Sequence, residues 1–188
     1  MTIFLILAPY GAFAGLMLLT SATASLFVSA TICLAVIALD VVRGRSVKWL
    51  GAGSAALFVA LGGYVALFDP GLSTAAIKLT VDAGIFLISA TSILIRHPFT
   101  LQYALESVPA ETAAMPGFLR ANYVITGAWA LASLLMMIAN GAMLYVQGLP
   151  IWWSLAIAFA ARNSAVYFTK WYPEYQKAKY ATHPLPGT

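Results

Sequence analysis

Charge and cysteine are scarce in this sequence. Only 9% of its 188 residues are charged, against roughly 25% in ordinary soluble domains, so a water-facing surface cannot be built from it. The single cysteine, Cys33, excludes an internal disulfide and a thiolate metal cluster. It lies inside an apolar run, where it reads as a small packing residue. The only histidines, His97 and His183, fall outside the apolar runs and cannot supply the intramembrane pair that bis-histidine haem ligation needs. H-E-x-x-H, C-x-x-C, G-x-S-x-G and phosphate-binding glycine loops are all missing, and with them the usual signatures of metalloprotease, redox, hydrolase and nucleotide chemistry. The sequence therefore predicts no enzyme, no cofactor and no resident metal.

What is present is hydrophobic: 62% of the residues, with a mean hydropathy of +0.88. A membrane span takes about 20 predominantly apolar residues. The run from Ile3 to Leu39 is too long for one span and must turn near Thr20 to Ser25. Further spans are read at about Leu50 to Phe68, Ala75 to Ile95, Tyr123 to Val146 and Ile151 to Thr169, punctuated by Asp69-Pro70-Gly71 and Gln147-Gly148-Leu149-Pro150. The expected fold is all-α, a polytopic membrane helix bundle of about six transmembrane helices in three hairpins. It forms one transmembrane domain over residues 1–179, with a flexible tail at 180–188.

Orientation follows from the basic residues. Arg43, Arg45, Lys48, Arg96, Arg120, Lys170, Lys177 and Lys179 all lie on one side of such a bundle, whereas the opposite loops near Ser21, Asp69 and Gln147 carry no Lys or Arg. The positive-inside rule then puts both termini in the cytoplasm, and no basic residue precedes the first run as a cleaved signal peptide requires. Trp49 and Trp171 mark the inner interface and Trp152-Trp153 the outer one. The net charge of +4 is thus topological, and nucleic acid is not an expected partner. The bilayer is, and a homo-oligomer or other membrane proteins are the candidate protein partners.

The longest segment between spans, residues 97–122, is expected to be a cytoplasmic interfacial segment. Within Phe99 to Val108, Leu101, Ala104, Leu105 and Val108 share one helical face while Gln102 and Glu106 point away, a pattern suited to lying on the membrane surface, with a plain ordered loop as the other reading. Asp40 reads as a helix-end charge beside Arg43. Gly11 and Gly15 form a G-x-x-x-G pattern that permits close helix approach.

Ionisable groups inside a membrane are costly, which makes each a candidate functional residue. Lys78 can snorkel to the outer interface. Asp82 lies four residues further on the same face, within pairing reach of Lys78. Arg162 falls near the midplane of the last span. Both helices run outside to inside, and helical side chains lean toward the helix N-terminus, so Asp82 and Arg162 reach comparable depths. They are expected to form a buried ion pair, with Asn140 and Asn163 nearby.

Short hydrophobic hairpins, with a basic residue followed closely by proline where a span exits, as in Arg96-His97-Pro98-Phe99-Thr100, resemble small bacterial inner-membrane proteins related to intracellular septation protein A. The resemblance implies an inner-membrane location and carries no catalytic residues. Two roles follow: a non-enzymatic scaffold or assembly factor of the bacterial envelope, suggested by the short loops, or a small transporter or ion-conducting protein using Asp82 and Arg162.

Overall fold

The structure, a computed structural model, describes residues 3–146 and 148–182. Among these residues it is helical without strands: α1 (Ile3–Leu19), α2 (Ala22–Val42), α3 (Trp49–Leu67), α4 (Thr74–Leu94), two short helices α5 (Phe99–Leu105) and α6 (Ala110–Ala113), then α7 (Pro116–Tyr145) and α8 (Ile151–Thr182). Four helices are long and apolar enough to cross a membrane: α2, α3, α4 and the Gly117–Tyr145 part of α7. The apolar stretch of α1, Ile6–Leu19, is shorter, and α8 carries Arg162, Asn163 and Ser164 in the middle of its apolar half.

Local chemistry sets the helix ends. The first N–H groups of a helix lack intrahelical partners, and Ser21 and Ser73 supply acceptors to Ala24 N and Ala76 N, both at 3.2 Å. At the other end of α2, Gly44 takes a left-handed φ of 68°, and the N–H groups of Gly44 and Arg45 turn back to Val41 O and Asp40 O. The same closure ends α4, where Arg96 holds a φ of 60° while Arg96 N and His97 N reach Ile93 O and Ser92 O. Glycine is the residue that adopts this conformation without steric cost, so Arg96 carries strain that Gly44 does not.

Two expected boundaries move. Helix α7 begins at Pro116, ahead of Tyr123, because proline is accommodated in the first turn of a helix, where its missing N–H costs nothing. Helix α8 continues past Thr169 through Pro173 to Thr182, so the tail read at 180–188 begins inside a helix. Residues 183–188 lie outside the described residues.

The long helices pack in chain order: α1 on α2, α2 on α3, α3 on α4, α4 on α7 and α7 on α8. The first three share with α4 a core of Tyr10, Phe13, Leu26, Phe58, Val65, Ile77 and Val81 that also buries Cys33, the packing role its position suggested. The α7–α8 seam is lined by Ala132, Ala161 and Ala165 beside Met136; small side chains let the two backbones come close. Gly11 and Gly15 do not serve that purpose, since a Cβ on either would meet nothing within 4 Å. The close approach is made by α3 and α4, where a Cβ on Gly53 would meet Ile88 at 2.9 Å and one on Gly84 would meet Leu57 at 2.5 Å. Helices α1 and α8 stand at the two ends of this packing order and make no substantial contact with each other.

Candidate functional site

Asp82 and Asn140 face each other across the α4–α7 seam. Both are buried, and Asn140 Nδ2 donates to Asp82 Oδ2 at 2.7 Å. The expected ion pair between Asp82 and Arg162 is not formed: the Arg162 guanidinium reaches Met136 Sδ at 3.9 Å and makes no salt bridge among the described residues. The reason is the packing order. Helix α7 stands between α4 and α8, so an α7 side chain takes the hydrogen-bonding position next to Asp82. Arg162 still lies within electrostatic reach of Asp82. Lys78 is half-buried, and among the described residues it forms no ion pair with Asp82. Asn163 sits on the exposed side of α8, its Nδ2 donating to Phe159 O at 2.8 Å. Of the five candidate residues, then, the structure joins Asp82 to Asn140, holds Arg162 nearby, and sets Asn163 apart.

Arg162 instead lines a cavity of about 350 Å³. Its walls come from α1 (Leu7, Tyr10), α4 (Ile85, Ser89), α5 (Phe99, Tyr103), α7 (Phe118, Ile125, Trp129, Met136) and α8 (Thr169, Pro173). It continues past the α5–α6 segment at Val108 and Thr112 toward Lys177. Small-molecule sites are typically apolar cavities of about 300–1,000 Å³ with few polar groups, and this one falls within that range. Because α1 and α8 do not pack on each other, the cavity occupies the gap between the two ends of the bundle.

Most of the cavity's hydroxyls and its indole are already engaged. Tyr10 Oη and Ser54 Oγ share a 2.5 Å hydrogen bond, Ser89 Oγ donates to Ile85 O at 2.9 Å, and Ser133 Oγ donates to Trp129 O at 3.1 Å. Trp129 Nε1 donates to Thr169 Oγ1 at 3.0 Å, while Thr100 Oγ1 is shared between Asn122 O and Thr126 Oγ1. Serine and threonine inside helices satisfy themselves this way by bonding back to carbonyls one turn earlier.

The wall formed by α5 is held by a charged cluster that sequence pattern did not reveal. Glu106, expected to point away from the apolar, membrane-lying face of this segment, pairs with Lys48, which is only 3% exposed. Lys48 also donates to Ser46 O at 2.9 Å. Arg45 bridges Glu106 Oε2 at 3.9 Å and Asp40 Oδ1 at 3.8 Å, so Asp40 is paired with Arg45 and not with Arg43. Gln102, also expected to face away, accepts from Trp49 N at 2.7 Å. The polar face of α5 thus grips the α2–α3 loop. Its Phe99 is buried in the protein and Leu105 is left outside at 52% exposure, so α5 is a packed wall of the bundle. Burial there raises the Tyr103 phenol well above its ordinary value and keeps it neutral.

Comparison with known protein families, with curated proteins and with solved structures finds no match to this chain. The cavity and its surroundings therefore carry the functional reading by themselves.

Proposed function

We propose that this chain is a non-enzymatic, multi-pass inner-membrane protein that takes a small amphipathic molecule into a cavity within its helix bundle, a carrier role in preference to a scaffold. All six long helices span the bilayer in this reading, with both termini cytoplasmic. The observation that carries it is the roughly 350 Å³ cavity reaching from Arg162 toward Lys177. Short loops are as compatible with a carrier as with a scaffold. An apolar chamber with a single guanidinium in it is what a carrier needs and a scaffold does not. The likeness to septation protein A-related proteins contributes only the plan of helical hairpins.

The test uses brominated dodecanol and the full chain in phosphatidylcholine nanodiscs. Bromine quenches indole fluorescence on contact, so the signal missing from a Trp129→Phe variant reports occupancy beside Trp129, which lines the cavity. Ala121→Phe, which adds bulk to another lining position, should relieve that quenching. Quenching of Trp129 no greater than that of the lipid-facing tryptophans, and unchanged by Ala121→Phe, would mean that the cavity takes no guest and would return the scaffold reading to first place.

A further inference from the structure

We infer that the cavity selects an apolar-tailed monoanion, with the anionic head seated on Arg162 and the tail directed along α7 toward the cytoplasmic end. This rests on the carrier reading above and names its ligand class.

Three observations point the same way. The first is donor availability. The Tyr10, Ser89 and Ser133 hydroxyls and the Trp129 indole are hydrogen-bonded within the protein, whereas the guanidinium, the lining's charged multi-donor group with five N–H donors, has only the long contact to Met136 Sδ among the described residues. A thioether is a weak acceptor, and a cation kept in a low-dielectric setting without an acceptor is unfavourable. An oxyanion is the complement, because charge-assisted hydrogen bonds to guanidinium are the strong ones.

The second is charge. Within the apolar runs read as spans from the sequence stand Lys78 and Arg162 against Asp82, an excess of one positive charge. Asp82 is committed to Asn140 at 2.7 Å and does not close on Arg162. One negative charge brought by the ligand balances the set, while a dianion would leave the surplus on the other side.

The third is shape. The lining positions on α7 run from Met136 beside Arg162 to Phe118, about 27 Å of helix at a rise of about 1.5 Å per residue. Ile125, Trp129, Leu7, Ile85 and Phe99 line that length. Such a chamber suits a chain, and the unpacked gap between α1 and α8 gives a chain already dissolved in the bilayer a sideways way in. The same head-and-tail chemistry occurs in a free carboxylic acid and in a lipid phosphodiester.

The experiment competes unlabelled amphiphiles against brominated dodecanol in nanodiscs at alkaline pH. Dodecanoate, lysophosphatidylglycerol, dodecanol and dodecylamine are the competitors, each titrated against the native chain, Arg162→Gln, Arg162→Lys and Asp82→Asn. Partition into lipid is common to all four proteins, so their differences read the site. The native chain should bind an anion at least about tenfold more tightly than dodecanol. Arg162→Gln should bring that ratio close to one, Arg162→Lys should fall between, and Asp82→Asn should raise it by removing the neighbouring negative charge. Should Arg162→Gln fail to fold, Arg162→Lys and Asp82→Asn still move the ratio in opposite directions. Preference for dodecanoate assigns a free acid and preference for lysophosphatidylglycerol a membrane lipid, and either supports the monoanion. Equal or tighter binding of dodecanol or dodecylamine by the native chain, or a ratio untouched by Arg162→Gln, overturns the ligand class while leaving a cavity that holds neutral guests. Absence of any brominated dodecanol signal instead removes the carrier reading itself.

Discussion

Replacing Asn140 by leucine tests which residue holds Asp82. The bond from Asn140 Nδ2 to Asp82 Oδ2 is 2.7 Å long between side chains 5% and 7% exposed. A hydrogen bond to a charged partner contributes about 1.5–3 kcal/mol net, and a buried acceptor left without its donor loses about as much. Asn140→Leu should therefore destabilise the folded chain by about 2–3 kcal/mol. Asp82→Asn keeps a hydrogen-bond acceptor of the same shape and should cost less. The assay is a double-mutant cycle on unfolding in mixed detergent micelles, which isolates the pair from the rest of the bundle. Coupling between positions 82 and 140 should be about 1.5 kcal/mol or more. Coupling between 82 and 162, which share a field but no contact, should be smaller, with Lys78→Gln measured alongside. A larger coupling for 82 with 162 than for 82 with 140 would refute this reasoning and restore the direct ion pair across the bundle.

Other outcomes follow from the charged cluster at Glu106 and from the helix ends. Glu106→Gln removes the counter-charge of Lys48, which is 3% exposed. Breaking a buried pair costs about 3–5 kcal/mol, and because Ser46 still accepts from Lys48 the loss should fall near about 2 kcal/mol, with recovery in the Lys48→Met, Glu106→Gln double variant by the same unfolding assay. Arg96→Gly, at a φ of 60°, should stabilise by about 1 kcal/mol because glycine meets no Cβ penalty there; a lower thermal midpoint would show that the Arg96 side chain contributes more than its backbone costs. Single cysteines at positions 45, 117 and 177 in a Cys33→Ala background should resist an impermeant thiol reagent in intact cells, and those at 71 and 148 should react, since basic loops stay inside. Labelling at 117 without labelling at 71 would refute the orientation.

Much of the architecture was legible in the residues. Apolar runs of span length, broken at Asp69-Pro70-Gly71 and Arg96-His97-Pro98, set the order of the long helices, because length and polarity decide where a chain can remain helical in an apolar solvent. Cys33, isolated in an apolar run, was recognisable as core. The costly residues were visible too: an aspartate, an asparagine and an arginine in apolar helices stand out whatever their neighbours.

Asn140 was expected near Asp82, but which group takes the carboxylate was not legible, since a linear pattern says which residues share a face and says nothing about which helix that face meets. Equal depth suggested that Asp82 and Arg162 would touch, yet the order α4, α7, α8 puts Asn140 next to the carboxylate and turns Arg162 toward a cavity. G-x-x-x-G marked Gly11 and Gly15, while the close approach belongs to Gly53 and Gly84, glycines with no motif around them, because proximity is a property of two helices at once. In α5 the polar residues, expected on the side away from the membrane, have partners within the protein. Glu106 and Gln102 turn into the α2–α3 loop because Lys48 and the Trp49 N–H are there to receive them, and that meeting exists only once residues 58 and 53 positions apart are brought together by the tertiary fold.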